Sequence, residues 1–104
     1  MALMQLTVIP LGTQSPGVGQ HVADIQKALQ GEQVAFELTD MGTIIEGEPT
    51  ALLALAARLH ALPFHNGVQR VVTQIVLDER RDKKVRLGDK KTAVQARLAQ
   101  TPKE

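Results

Sequence analysis

Asp40-Met41-Gly42-Thr43-Ile44-Ile45-Glu46-Gly47-Glu48-Pro49 reads as a turn, a short strand and a helix start. Upstream of it, Val34, Phe36 and Leu38 alternate with Ala35, Glu37 and Thr39, the period of a strand. Asp40-Met41-Gly42 is so short a connection that Thr43–Glu46 returns beside that strand as a hairpin. Downstream, Gly47-Glu48-Pro49 opens a helix. Proline suits the first helical position, where no amide donor is needed, and Glu48 meets the positive end of the helix dipole. The same stretch sets acids and a hydroxyl beside glycines, between apolar runs, so its polar groups belong at the lip of a core.

Working outward, Thr50–Leu62 is an alanine- and leucine-rich helix with Leu52, Leu55, Ala56, Leu59 and Leu62 facing inward, ended by Pro63. Phe64–Gln69 reads as a loop. Arg70–Arg80 is a long strand, with Val71, Thr73, Ile75 and Leu77 on one face and Val72, Gln74, Val76 and Asp78 on the other. Asp82–Gly88 is a charged connection, and Asp89 is placed to cap a last helix, Lys90–Gln100, with Val94 and Leu98 as its apolar seam. The tail 101–104 is expected to fray. On the other side, Ala2–Pro10 is a strand in which Met4, Leu6 and Val8 alternate with Leu3, Gln5, Thr7 and Ile9. After the loop Gln14-Ser15-Pro16-Gly17, Val18, Val22, Ile25 and Leu29 make one helical stripe over Val18–Gln30, closed by Gly31.

The order β-α-β-β-α-β with a terminal helix predicts an α+β, ferredoxin-like sandwich: a four-stranded antiparallel sheet with the first and third strands central. At 104 residues the chain is expected to be one domain. Two main helices cover one face of such a sheet. The other face, with Leu3, Ile9, Val72 and Val76, is a candidate interface.

Composition limits the chemistry. There is no cysteine, which excludes disulfides, thiolate metal sites and cysteine nucleophiles and fits a reducing compartment. Met1-Ala2-Leu3-Met4-Gln5 lacks the basic start of a signal peptide, and no apolar run approaches the roughly 18–20 residues of a membrane span. A cytoplasmic protein without a membrane partner is expected. Net charge is +1, yet Arg80, Arg81, Lys83, Lys84, Arg86, Lys90 and Lys91 stand together against Asp82 and Asp89. This basic run could bind phosphate, or be a solvated connection. With Phe36 and Phe64 as the only aromatic residues, stacking platforms for a nucleic acid are lacking and no nucleic-acid partner is expected. His60 and His65 are five apart, not the spacing of two ligands on one helical face, so no metal is expected. Ser15 is the sole serine and has no histidine–aspartate context, and no phosphate-binding glycine motif is present.

Taken together, Pro10-Leu11-Gly12-Thr13, Met41-Gly42-Thr43, Glu46-Gly47-Glu48, Gly67-Val68-Gln69-Arg70-Val71 and Asp78-Glu79-Arg80-Arg81-Asp82-Lys83 carry a resemblance from Leu3 to about Leu98. The chain resembles the small thiamine-binding protein family, formerly a domain-of-unknown-function family. That family is related to tandem-repeat proteins that bind thiamine or its hydroxymethylpyrimidine half. The resemblance implies a ferredoxin-like fold, dimers that pair into tetramers, and binding without a reaction or cofactor.

Thiamine offers an amine donor, ring-nitrogen acceptors and a cationic thiazolium, so its site wants a carboxylate or carbonyl, a hydroxyl or amide, and acid near the cation. Thr43 and Glu46 could supply the first two. Three residues apart on a regular strand they face opposite ways, so a shared pocket needs a bulge or a neighbouring subunit. The alternatives are that Thr43 serves the hairpin and that Glu46 pairs with Arg70. Glu48 is either a ligand contact or a helix-start acid, Thr13 a ligand hydroxyl or a turn residue, and Asp78 a partner for a cation or a surface charge. His60 is read as capping carbonyls or touching a ligand. The first functional reading is a non-catalytic binding protein for thiamine or its pyrimidine half, its site using Thr43 and Glu46 with Arg70 holding the acid in place. The second is a structural or regulatory homo-oligomer without that ligand.

Overall fold

The computed structural model describes residues 1–13 and 19–100. The expected loop at 14–17, the stripe residue Val18 and the tail at 101–104 lie outside these. Strands β1 (Ala2–Leu11), β2 (Phe36–Thr39), β3 (Gly42–Gly47) and β4 (Arg70–Glu79) alternate with helices α1 (Gly19–Gln30), α2 (Pro49–Ala61) and α3 (Asp89–Ala99). The sheet order is β2-β3-β1-β4 with every neighbour antiparallel, so β1 and β3 are central and the fold is ferredoxin-like α+β.

The core lies between the sheet and two helices. Ala2, Met4, Leu6 and Val8 of β1 and Ile45 of β3 meet Ile25 and Leu29 of α1 and Leu52, Leu55, Ala56 and Leu59 of α2. Alternation along β1 produces this: its even-numbered residues are buried, and its odd-numbered residues point to the open face. Instead of a loop after α2, Leu62–Asn66 forms a 3₁₀ turn that carries Pro63 fully into the core. The last helix starts one residue earlier than expected, at Asp89 itself. Gly88, in the left-handed region, takes the cap position, and Asp89 in the first turn accepts the Arg86 amide at 2.8 Å.

Gly42 explains why the hairpin stretch fixes the fold. Its φ is +146°, and a Cβ there would sit 2.7 Å from Thr7 Oγ1 and 3.0 Å from the Leu6 carbonyl oxygen. The Thr7 hydroxyl in turn donates to the Met41 carbonyl at 3.2 Å, and the Thr39 hydroxyl donates to the Gly42 carbonyl at 2.8 Å. The turn is thereby locked against β1 as well as closed on itself.

The third helix breaks the compact outline. The radius of gyration is 16.5 Å with extents of 56 × 34 × 21 Å, against about 13 Å for a compact chain of 100 residues. No residue of α3 is buried, and Leu98 is 67% exposed. Edge strand β4 likewise leaves apolar side chains uncovered on both faces, Ile75 and Leu77 on the helix side and Val72 and Val76 on the open side.

Candidate functional site

An open cleft of about 980 Å³ lies where β1 ends, α1 begins and β4 begins. Its walls are Leu11, Gly12 and Thr13; Gln20, His21 and Asp24; and the segment Asn66–Arg70. Gly67, at φ +85°, ends the 3₁₀ turn and swings the chain so that Gln69 and Arg70 reach the cleft.

Within the cleft Asp24 is the fixed acid. One carboxylate oxygen accepts from Gln20 Nε2 at 2.9 Å, one helical turn away, and the other from Asn66 Nδ2 at 3.4 Å. A carboxylate has about four acceptor sites, so Asp24 keeps capacity for a further donor. Beside it, the Nδ1 atom of His21 is buried and has no hydrogen-bond partner among the described residues. A buried ring nitrogen without a partner is costly unless something fills the place. Arg70 is exposed and forms no ion pair or hydrogen bond among the described residues.

The structure distributes the six residues expected from sequence over three places. Thr13 and Arg70 line the cleft. Thr43 is on the helix side, 5% exposed, and its hydroxyl accepts from Gln26 Nε2 at 3.0 Å. Glu46, Glu48 and Asp78 gather at the opposite end of the sheet. There Glu46 and Asp78 flank Leu3 from the two neighbouring strands, about 10 Å apart by strand spacing. The Glu46 carboxylate accepts the Leu87 amide at 3.0 Å and so ties down the connection before α3. Glu48 stands 3.8 Å from the Met1 amino group and makes no side-chain cap bond. Asp78 borders a cavity of only about 20 Å³, room for a water at most.

One expected pairing is thereby corrected. Arg70 lies opposite Leu11 and Glu46 opposite Leu3 on β1, a separation of about 27 Å along the strand, so they form no ion pair. Strand β3 pairs without a bulge, and Thr43 and Glu46 face opposite sides of the sheet. The expected carbonyl cap by His60 is also replaced: its Nδ1 shares a 2.6 Å hydrogen bond with the Thr73 hydroxyl, and its ring stands edge-on to Phe64.

Two of the seven basic side chains of the run, Arg80 and Arg81, pair with neighbouring acids. Arg80 grips both oxygens of Asp82, and Arg81 reaches Glu79 at 3.3 Å. The shared hydrogen bond holds the Asp82 carboxyl below the usual carboxylate range and raises the Arg80 guanidinium above its own. Among the described residues no group of three His, Asp or Glu side chains could hold a metal, and no helix is long and apolar enough to cross a membrane.

Sequence reasoning missed His21, Asp24, Asn66 and Gln69. A faint signal existed: Gln20 and Asp24 are one turn apart off the apolar stripe of α1. What no local pattern conveys is that the turn after α2 folds back to meet them.

Comparison with known proteins places this arrangement. The family described as thiamine-binding protein matches residues 4–95. The UPF0045 protein YqgV of Bacillus subtilis is 44% identical over 102 residues, covering 94% of this chain and 98% of that one. The UPF0045 protein in the glkA 3′ region of Staphylococcus xylosus is 40% identical, covering 94% and 95%. Among solved structures, protein MJ1052 of Methanocaldococcus jannaschii superposes with a TM-score of 0.81 at 28% identity, covering 90% of this chain and 95% of that one. A Thermotoga maritima protein described as a candidate thiamine biosynthesis/salvage protein shares the fold, with a TM-score of 0.74 at 15% identity over 89% and 97% of the two chains. This chain belongs to the thiamine-binding protein family.

Proposed function

We propose that the chain binds thiamine or its hydroxymethylpyrimidine half, without catalysing a reaction, in the cleft between β1, α1 and the start of β4. The observation that carries this is Asp24, a carboxylate fixed by two amides in the wall of the cleft with acceptor capacity to spare. An aminopyrimidine presents an amine donor, and this carboxylate answers it as an acceptor. The cleft volume of about 980 Å³ is at the upper end of small-molecule sites, and Thr13 stands at its lip. In this reading Thr43 positions α1 through Gln26, and Glu46 anchors the connection to α3. Titration calorimetry with thiamine and with hydroxymethylpyrimidine tests it. Asp24→Asn replaces an acceptor with an amide and should weaken both ligands roughly ten- to hundred-fold. An unchanged affinity removes Asp24 from the site.

The same reading includes self-association, as dimers that pair into tetramers. It is supported by the apolar side chains that β4 shows on both faces and by α3, which buries nothing in its own chain. The absence of cysteine fits a cytoplasmic setting. With two aromatic residues and a net charge of +1 in the whole chain, a nucleic-acid partner is not part of this reading. The exposed surfaces also favour the other reading, a structural or regulatory assembly without thiamine. An assembled protein that binds neither thiamine nor hydroxymethylpyrimidine would decide for it.

A further inference from the structure

The cleft holds an acid and a base that ignore each other. Asp24 bonds to Gln20 and Asn66, while Arg70 in the same cleft has no carboxylate partner among the described residues. Elsewhere three arginines pair with acids, Arg58 with Glu32, Arg80 with Asp82 and Arg81 with Glu79, and Arg86, which has no such pair among the described residues, does not line the cleft. An arginine left open at a cleft that contains its own carboxylate is placed for an anion from outside. A guanidinium is a planar fork of donors matched to phosphate oxygens. Arg70 stands at the first residue of β4, directly after the turn at Gly67, so its backbone is held while its side chain is free to close on a ligand. Free thiamine has no use for it. Its thiazolium is cationic and its far end is a neutral hydroxyl. A phosphate ester at that hydroxyl adds a charge of about −1.5 to −2 at neutral pH.

We infer that the cleft prefers a phosphorylated ligand, a phosphate monoester of thiamine or of its pyrimidine half, with Asp24 taking the amine end and Arg70 the phosphate. This rests on the cleft being the thiamine site. The ligand class is amphoteric: a hydrogen-bond-donating heterocycle at one end and a dianion at the other.

The test is calorimetry with thiamine, thiamine monophosphate and inorganic phosphate, on the wild-type chain and on Arg70→Gln and Arg70→Lys. The wild-type protein should bind the monophosphate roughly ten- to hundred-fold more tightly than thiamine. In Arg70→Gln the ratio of the two affinities should collapse to near one, and Arg70→Lys, which keeps the charge without the fork, should restore part of it. Circular dichroism on each variant checks that the fold is kept. Thiamine binding with no gain from the phosphate overturns the inference and leaves the thiamine reading standing, as does a gain that survives Arg70→Gln. Inorganic phosphate binding as tightly as the monophosphate also overturns it, because the heterocycle would then contribute nothing. No binding of either thiamine compound sinks both readings together.

Discussion

Replacing Glu46 by Gln separates a structural carboxylate from a ligand contact. The Glu46 carboxylate is half-buried on the open face and accepts the Leu87 amide at 3.0 Å. A hydrogen bond to a charged group contributes about 1.5–3 kcal/mol and a neutral one about 0.5–1.5 kcal/mol, so Gln, which keeps a carbonyl acceptor, should lose about 1–1.5 kcal/mol. Relief of repulsion works the other way. Asp78 lies about 10 Å away across Leu3, and two like charges at that distance near a surface repel by about 1.7 kcal/mol unscreened, which salt at physiological ionic strength cuts to about 0.5 kcal/mol. The net expectation is a loss of about 0.5–1 kcal/mol, or a melting temperature lower by roughly 2–8 °C for a domain of this size. Urea unfolding measures the stability, and hydrogen exchange at the Leu87 amide reports the bond itself, which should exchange faster. Thiamine affinity should be unchanged, because the cleft is at the other end of the sheet. A ten-fold loss of thiamine affinity with stability intact would refute this reasoning and move the ligand to the Glu46 end.

Three further perturbations follow from particular contacts. Gly42→Ala should destabilise by about 2–4 kcal/mol by denaturant unfolding, since it combines an unfavourable φ with overlap on Thr7 and the Leu6 carbonyl; a loss below about 0.5 kcal/mol would contradict the geometry. The Asp82 carboxyl should titrate below the ordinary aspartate value in a carbon-detected NMR titration, and Arg80→Gln should raise it. Because the folded value is depressed, any stabilisation from this pair is present above the unfolded aspartate value and fades as pH falls through the folded one; an ordinary titration would remove the pair from the account. Val76→Lys, a charge placed on the exposed open face of β4, should shift light scattering toward smaller species, and a wild-type monomer at micromolar concentration would refute self-association.

Sequence carried most of the fold because its signals were local. The two-residue turn before Gly42, Pro49 at a helix start and the alternation of β1 each specify an element and its face. They gave the strand order through the chirality of the crossovers. The site was less legible because it depends on which ends of the strands meet. Arg70 and Glu46 both sit at strand termini, and only the antiparallel register tells that they are at opposite ends of β1. Sequence leaves Thr43 as either a ligand hydroxyl or a hairpin residue, and only the fold shows that it faces α1 and accepts from Gln26. Asp24 lies off the apolar stripe of α1, and its contact with Asn66, 42 residues away in the chain, has no local signal. The exposed seam of α3 was visible as Val94 and Leu98, but nothing local says that the helix projects from the body instead of folding onto it.

The measurement that bears most directly on the central claim is amide shift mapping by ¹H–¹⁵N NMR as thiamine is added to the isotope-labelled protein. The account predicts that the largest changes fall on Gly12, Thr13, Gln20, His21 and Asp24 and on the stretch from Gly67 to Arg70, with Leu3, Glu46, Asp78 and Leu87 still. Changes centred on Leu3, Glu46 and Asp78 with a silent cleft would contradict it.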